Sequence, residues 1–287
     1  MKVIDSIGEF QAFKREFYDK EKTVGFVPTM GALHDGHLTL MKKCKEERHI
    51  TIVSIYINPK QFNSPEDFEK YPRDFNSDIQ KLESIGVDAV FLPSDKEMYP
   101  NGFASYVDTT IHESLLESTT RPGHFRGVAT IVSKLFNIIQ PTHAYFGQKD
   151  FIQCIVIRKL VEDLNFPTAI IIVPTEREID GLAMSSRNAR LTEDERKRAP
   201  IIFGALKAAA DLFLSKKTSF PLCASILTDT AKQIIEEERT FTLEYVTVSN
   251  FSDGKDVDTL EAGKDYAISI AVIVGVVRLI DNIILYK

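Results

Sequence analysis

Residues 23–37 read TVGFVPTMGALHDGH, and this stretch decides the fold class. The apolar run over residues 23–27 predicts a strand that ends at Pro28, and a helix is expected from about Gly36 to Arg48. Unpaired N–H groups and the dipole at a helix start favour anions, so the glycine-containing turn between the two elements predicts a phosphate site.

The same alternation of strand and helix signals continues to about residue 175. Further strands are expected at residues 50–57, 88–92, 144–146 and 169–173, and further helices at residues 74–85, 128–139 and 151–164. Continuous apolar strands separated by helices indicate a parallel sheet covered on both faces. The sequence therefore predicts a doubly wound, Rossmann-like α/β domain over residues 1–175, with ligands at the carboxyl ends of its strands.

The pattern changes after Pro174. Residues 192–195, with sequence TEDE, offer an N-cap and an acidic first turn for a helix that should extend to about Ser215. A second helix is expected over residues 222–238, and strands are expected at residues 242–248, 265–274 and 276–286. Helices followed by adjacent strands predict a smaller α+β domain over residues 176–287, which we expect to act as a lid.

Composition argues against several classes of function. The formal net charge of -6 makes the chain a poor binder of nucleic acid or of an acidic membrane, because neutralising phosphates needs clustered Lys and Arg. Residues 1–5 lack the apolar core of a signal peptide, and the apolar run over residues 267–277 is too short to span a bilayer and is expected to be a buried strand. Cys44, Cys154 and Cys223 are widely spaced, so we expect inert, buried thiols in a reducing cytoplasm.

His34 and His37 lie one helical turn apart at the predicted helix start. Their imidazoles can donate hydrogen bonds to phosphate oxygens without a fixed charge, and Gly31 and Gly36 allow close backbone approach. Two surface histidines or a metal-ligand pair are the alternatives. A zinc site would need further Cys or His at ligand spacing, and the neighbouring sequence offers none.

Other polar residues follow predicted strand ends. Lys149 can place a point charge on phosphates, and Asp150 opens the next helix. Asn58 and Gln61 can hydrogen-bond a hydroxy acid without adding charge, although Asn58 before a proline also reads as a simple turn. Residues 184–187, with sequence MSSR, combine two hydroxyls with a guanidinium, which suits pyrophosphate but is also typical of an ordinary polar loop.

The HDGH motif at residues 34–37 resembles the HxGH signature of the nucleotidyltransferase superfamily, which includes the class I aminoacyl-tRNA synthetases. The wider sequence resembles the pantothenate synthetase family. The segments that carry this resemblance follow the family's order: VPTMGALH at 27–34, INPKQF at 57–62, YPRD at 71–74, RPGHFRGV at 121–128, FGQKD at 146–150, DGLAMSSRN at 180–188 and RLIDN at 278–282. The resemblance implies ATP-dependent ligation of pantoate to β-alanine through a pantoyl adenylate, with release of AMP and pyrophosphate.

The resemblance also implies roles for single residues. The implied catalytic groups are His34, His37, Lys149 and Arg187, and the implied Mg²⁺ contact is Asp78. The implied ATP contacts are Met30, His34, His37, Gly147, Lys149, Asp150, Glu176, Met184, Ser185, Ser186 and Arg187. The implied pantoate contacts are Met30, Asn58, Gln61, Arg121 and Gln153. For Asn58, a contact with ATP instead of pantoate is the alternative. Arg121 is expected to help close the site, and His124 to be structural.

Two further expectations follow from the family. The chain is expected to form a homodimer through its first domain. It departs from the family at Gln148, where Glu is usual, so the shape is kept and a charge next to Lys149 is lost.

Two other functions stay open at this point. A nucleotidyltransferase that moves AMP onto a phosphate would share the HxGH motif, and amide-bond formation would exclude it. A module that senses ATP without turnover would share the binding residues, and the intact His34, His37, Lys149 and Ser185 argue against it.

Overall fold

A computed structural model describes residues 1–18, 21–110, 116–216 and 220–286. Its strands and helices divide between two compact units. The first unit contains Met1–His112, Arg121–Gly147 and Val156–Pro174, and the second contains Glu113–Thr120, Gln148–Ile155 and Thr175–Lys287.

The first unit is built on a six-stranded sheet. Its strands are β1 (Lys2–Ile4), β2 (Val24–Thr29), β3 (Ile50–Ile55), β4 (Ala89–Phe91), β5 (His143–Gly147) and β6 (Ala169–Val173). They pair in parallel in the order β1-β4-β3-β2-β5-β6. The chain winds outward in one direction from β2 and in the other from β5, and in such sheets ligands bind where the carboxyl ends of these two strands diverge.

Helices connect the strands of the first unit. The helices up to residue 163 are α1 (Ile7–Phe17), α2 (Asp35–Glu47), α3 (Pro65–Glu69), α4 (Phe75–Ile85), α5 (Asp95–Met98), α6 (Leu116–Thr120), α7 (His124–Ile139) and α8 (Phe151–Asp163). Of these, α6 and the first residues of α8 belong to the second unit. Every residue of β3 is buried, as expected for a parallel strand covered on both faces.

The second unit combines antiparallel strands with helices. Its elements are α9 (Glu193–Arg198), α10 (Ile201–Lys216), β7 (Leu222–Cys223), α11 (Ala224–Glu236), β8 (Phe241–Asn250), β9 (Thr259–Leu260), β10 (Tyr266–Val274) and β11 (Val277–Leu285). Strand β10 lies between β11 and β8 in a three-stranded sheet, and β7 pairs with β9. Ile268, Ile270 and Val272 of β10 join Leu206 and Phe213 of α10 in one buried core.

The structure confirms the fold class: a parallel α/β sheet in the first unit and an α+β arrangement in the second. The predicted elements are present with small shifts at their ends, and the apolar run near residue 270 is the buried strand β10. The N-cap at Thr192 is confirmed, with a capping box that Glu195 completes. In the described part of the chain, the helices are too short or too polar to cross a bilayer.

Three local predictions were wrong. Strand β2 does not end at Pro28 but continues to Thr29. Its pairing with β5 ends at Phe26, so the missing N–H of Pro28 leaves no bond between these two strands unmade, and the proline is tolerated there. The helix expected over residues 192–215 is two helices, since Pro200 cannot continue the first. Cys44 and Cys154 are buried as expected, but Cys223, the N-cap residue of α11, is exposed.

The structure predicts opposite effects for alanine at two helical glycines. A Cβ on Gly127 would lie 2.3 Å from the carbonyl oxygen of Lys60, whereas Gly204 has nothing within 4 Å. Gly127→Ala should lower the free energy of unfolding by about 1–3 kcal/mol through overpacking. Gly204→Ala is the matched control, at the same position of its own helix, and should raise it by about 0.5–1 kcal/mol. Equilibrium unfolding in urea measures both, and equal shifts would contradict the close approach at Gly127.

Candidate active site

The turn between β2 and α2 is held by a carboxylate from another helix. The backbone is left-handed at Gly31 (φ 81°) and Ala32 (φ 51°), which aims two successive N–H groups the same way. Asp78 of α4 is 1% exposed, and its Oδ2 and Oδ1 accept the N–H groups of Ala32 at 2.9 Å and of Leu33 at 2.8 Å. The Lys81 ammonium donates to the Leu33 carbonyl at 2.6 Å. The turn is therefore fixed on both sides of Leu33.

This arrangement changes what the turn offers to a phosphate. The N–H groups of Ala32 and Leu33 form an anion-binding concavity that the protein fills with its own carboxylate. These two N–H groups are therefore not available to a phosphate, and the phosphate site predicted at this turn stays a prediction. The N–H groups of Asp35 and Gly36 stand at the positive end of the α2 dipole, where an anion is favoured.

His34 and His37 lie together at the start of α2. His34 is the N-cap residue, and the two rings have centroids 4.1 Å apart at 46°. The Nδ1 of His37 accepts the backbone N–H of His34 at 3.4 Å. A neutral His37 that accepts at Nδ1 carries its proton on Nε2, so this nitrogen can donate to a phosphate oxygen.

Asn58 is 1% exposed and uses all its hydrogen-bonding capacity within the protein. Its Nδ2 donates to the Oε1 of Gln61 at 2.9 Å and to the Gly127 carbonyl at 3.1 Å. Its Oδ1 accepts the N–H of Lys60 at 3.3 Å and the hydroxyl of Tyr99 at 2.8 Å. These contacts support a role in orienting Gln61, and a direct bond from Asn58 to pantoate or ATP stays a prediction that would require one of them to break.

Gln61 and Met30, both expected to contact pantoate, lie together in the structure. The Nε2 of Gln61 donates to the Sδ of Met30 at 3.1 Å, so the amide points its N–H₂ group towards Met30 and its oxygen towards Asn58. His124 is buried, and its Nδ1 lies 2.7 Å from the Gln61 carbonyl, a structural contact. Arg121 accepts the His124 N–H through its carbonyl, and its expected role in closing the site stays a prediction.

The second unit holds Lys149 in a short 3-10 helix over Gln148–Asp150, directly before α8. Gly147, the last residue of β5, precedes this helix, and Gln153 lies in the first turn of α8. Burial lowers the pKa of Lys149, the charges of Asp150 and Asp281 oppose that shift, and the charge of Arg187 adds to it. Lys149 and Ser185 line one pocket, together with Asp281.

Residues 176–188 form a small hairpin followed by a turn. The Met184 N–H donates to the Glu176 carbonyl at 3.0 Å, and Arg177 forms an antiparallel bridge with Ala183. Ser185 then caps a 3-10 helix over Ser186–Arg190, its hydroxyl accepting the Arg187 N–H at 3.2 Å. The structure thus brings the predicted pyrophosphate residues into one turn.

The sequence reasoning missed Arg177, Asp281 and Asn282. Asp281 is 3% exposed and pairs with both terminal nitrogens of the Arg177 guanidinium, at 2.6 and 2.9 Å. The available signal was an adjacent Asp and Asn within the apolar strand VRLIDNIIL, because buried polar residues need partners.

Asp78 is the residue assigned to Mg²⁺, and its surroundings bear on that assignment. In the described part of the chain, His, Cys, Asp and Glu form no cluster of three or more that could hold an ion. Both oxygens of Asp78 already accept backbone N–H groups. Its assignment as a Mg²⁺ contact stays a prediction.

Comparison with known proteins gives one family over almost the whole chain. The family model described as Pantoate-beta-alanine ligase matches residues 2–284. The chain is 46% identical to the pantothenate synthetase of Chloroflexus aurantiacus (strain ATCC 29366 / DSM 635 / J-10-fl) over 283 residues, covering 98% of this chain and 97% of the relative. It is 44% identical to that of Thermosipho africanus over 285 residues, covering 99% and 100%.

Solved structures agree with this match. The pantothenate synthetase of Thermus thermophilus has a TM-score of 0.91 and 37% identity, and the match covers all of both chains. The pantoate-β-alanine ligase of Francisella tularensis, complexed with β-γ ATP and β-alanine, has a TM-score of 0.78 and 37% identity, with 99% of this chain and 97% of that chain covered.

The substitution Asp78→Asn distinguishes two roles for Asp78, as an anchor of the turn between β2 and α2 or as a ligand of Mg²⁺. One Asn oxygen becomes N–H₂ and faces a backbone N–H, so we expect the free energy of unfolding in EDTA to fall by about 2 kcal/mol. Asp74→Asn is the control on the same helix: Asp74 is the N-cap of α4, and Asn caps equally well. Urea unfolding with EDTA and with Mg²⁺ provides the measurement. Wild-type stability in EDTA, with a defect only when Mg²⁺ and ATP are present, would contradict the anchor.

Proposed function

The chain belongs to the pantoate–β-alanine ligase family, and from this we propose that it joins pantoate to β-alanine with ATP, through a pantoyl adenylate. One observation carries the proposal: the family match runs from residue 2 to residue 284 and so includes the functional residues of both units. The Francisella relative is complexed with β-γ ATP and β-alanine, and we assign ATP and β-alanine to this chain as substrates.

In the first step, a pantoate carboxylate oxygen bonds to the α-phosphorus of ATP, and the bond to the bridging oxygen of the β-phosphate breaks. Pantoyl adenylate forms and pyrophosphate leaves. Both reactants are anionic, so the step needs donors and positive charge at the phosphates. We assign the α-phosphate to the Nε2 of His37 and the start of α2, which offer hydrogen bonds without a full charge.

The leaving pyrophosphate requires stronger positive charge. We assign it to Lys149, Arg187 and the hydroxyls of Ser185 and Ser186. The support is that Lys149 and Ser185 line one pocket and that Arg187 is close enough to Lys149 to influence its pKa. A guanidinium and an ammonium together stabilise the charge that develops on the departing oxygens.

Pantoate is assigned to Gln61 and Met30. Asn58 holds the amide oxygen of Gln61, which leaves the N–H₂ group to donate to a hydroxyl or carboxylate of the hydroxy acid. A neutral amide suits this site because it binds the acid without pairing the carboxylate, which must stay nucleophilic.

In the second step, the β-alanine amine attacks the acyl carbon of the adenylate. The carbon–nitrogen bond forms, the carbon–oxygen bond to AMP breaks, and the amine loses a proton. The acyl adenylate is labile to water, so we expect the second unit to act as a lid. Mg²⁺ enters as a complex with ATP, because a hard cation on a nucleotide takes most of its ligands from phosphate oxygens and water.

Quaternary structure and location are also proposals. We infer a cytoplasmic homodimer formed through the first unit. The family resemblance supports it, and so does the half-exposed, apolar edge strand β6, whose sequence is AIIIV. Light scattering on the purified chain tests the dimer, and a monomeric mass would contradict it.

The order of the two steps can be tested directly. With ATP, Mg²⁺ and pantoate but no β-alanine, labelled pyrophosphate should exchange into ATP, because adenylate formation needs no amine. Adding β-alanine should yield pantothenate and AMP, detected by mass. His37→Ala should lose exchange and synthesis together, since its role lies in the first step.

Exchange only in the presence of β-alanine would contradict the adenylate. Exchange without pantoate would indicate another acceptor, and ATP binding without AMP release would indicate a sensing module.

Lys149→Ala should lower turnover by at least about a hundredfold while the chain stays folded, on the scale of losing one oriented transition-state donor. Lys159→Ala is the control, because Lys159 lies in the same region of the chain and makes only exposed ion pairs with Glu162 and Asp163. Steady-state kinetics and circular dichroism provide the readout. Wild-type turnover in a folded Lys149→Ala variant would remove Lys149 from the mechanism.

A further inference from the structure

Two adjacent polar residues, Asp281 and Asn282, lie buried in β11, at 3% and 2% exposure. Burying a carboxylate and an amide side by side costs free energy unless each is hydrogen-bonded. A well-packed apolar pair of similar size is often at least as stable as a buried ion pair. The partners of these two residues therefore indicate what they do.

Asn282 holds the backbone on both sides of the Lys149 Cα. Its Nδ2 donates to the carbonyl oxygens of Gln148 and Lys149, each at 2.9 Å. Its Oδ1 accepts the Nε2 of Gln148 at 3.1 Å, which fixes the orientation of the amide. The two carbonyls belong to the peptide groups that flank the Lys149 Cα, so fixing both sets the direction in which the Lys149 side chain leaves the backbone.

Asp281 holds the other functional segment through Arg177. The two residues form a bidentate pair at 2.6 and 2.9 Å, a geometry that fixes the planes of both groups. Arg177 also donates to the Gly181 carbonyl at 3.0 Å, and its guanidinium stacks 4.0 Å from the Phe203 ring centroid. Through its bridge with Ala183, Arg177 fixes the hairpin that leads into Ser185–Arg187.

Two successive residues of one strand thus hold the two segments whose side chains are assigned to the leaving pyrophosphate. We propose that Asp281 and Asn282 are positioning residues, with Asn282 aligning Lys149 and Asp281, through Arg177, aligning the turn at Ser185–Arg187. The inference rests on the proposed function, because it needs Lys149 to act on the nucleotide. Each acts through the groups it holds: Asn282 through the backbone of Lys149, and Asp281 through Arg177.

The test asks whether Asn282 acts through Lys149. Asn282→Ala should lower pantoate-dependent exchange of pyrophosphate into ATP by about tenfold, with a raised KM for ATP and an unchanged KM for pantoate. In the Lys149→Met background the same substitution should cause no further loss, because there is no ammonium left to align.

The control lies on the same strand. Arg278 pairs with Glu244 at 2.7 Å and with Glu117 at 3.7 Å, so Arg278→Met removes two partly buried ion pairs and should lower stability as well. It should leave both KM values unchanged. A variant that is merely less stable has fewer active molecules, which lowers the apparent kcat without moving KM, so the split between KM and kcat separates positioning from stability.

The outcomes are distinct. Equal losses in both backgrounds, or an unchanged KM for ATP, would overturn the positioning role while leaving the proposed function intact. If Lys149→Met itself exchanges at the wild-type rate, the role of Lys149 fails and the inference fails with it. If Asn282→Ala does not fold, Gln148→Met removes only the bond to the Oδ1 of Asn282. It should raise the KM for ATP about threefold in the wild-type background alone, and no change there would overturn the inference.

Discussion

A buried polar side chain must find hydrogen-bond partners, and in this protein two such side chains find them in the backbone of functional loops. In the first unit, the Asp78 carboxylate accepts two successive N–H groups, those of Ala32 and Leu33. In the second unit, the Asn282 amide donates to two successive carbonyls, those of Gln148 and Lys149. Two bonds to adjacent peptide groups fix the orientation of a backbone segment, which one bond cannot do. The placement of His34, His37 and Lys149 depends on this constraint.

The positive charge of the functional residues is concentrated in a few side chains, and nearby carboxylates partly offset it. The chain carries a net charge of -6, yet the substrates proposed for it are a carboxylate and a triphosphate. The first unit offers neutral donors, namely imidazole and a helix start, whereas the second concentrates Lys149 and Arg187. Burial and Arg187 both lower the pKa of Lys149, and the carboxylates of Asp150 and Asp281 oppose that shift. These carboxylates favour the charged form of Lys149, but they also weaken the positive potential around it. The bidentate pair with Arg177 neutralises part of the charge of Asp281 and so limits that weakening.

The sequence predicted those features that depend on neighbouring residues. The strand–turn–helix at residues 23–37 could be read because apolar periodicity, glycines and a helix start are local signals. The N-cap at Thr192 could be read for the same reason. Errors arose where context overrides a local rule. Pro28 lies inside a strand because the pairing of β2 with β5 has already ended at Phe26. The partners of Asn58 could not be read from the sequence either, because Tyr99 and Gly127 lie far along the chain.

By itself, the sequence determined the fold class, the order of elements and the family, and it predicted the residue types that are expected to meet phosphate. Only the tertiary structure decided which partners each polar side chain takes. Asp78 and Ala32 are 46 positions apart, and Asn282 and Lys149 are 133 positions apart, so no periodicity or spacing could have paired them. The physical reason is that hydrogen bonds of buried groups are chosen by distance and angle after packing has brought the elements together. Asp78, which the family resemblance assigns to Mg²⁺, thus also holds the turn between β2 and α2, a role that no local pattern in the sequence indicates.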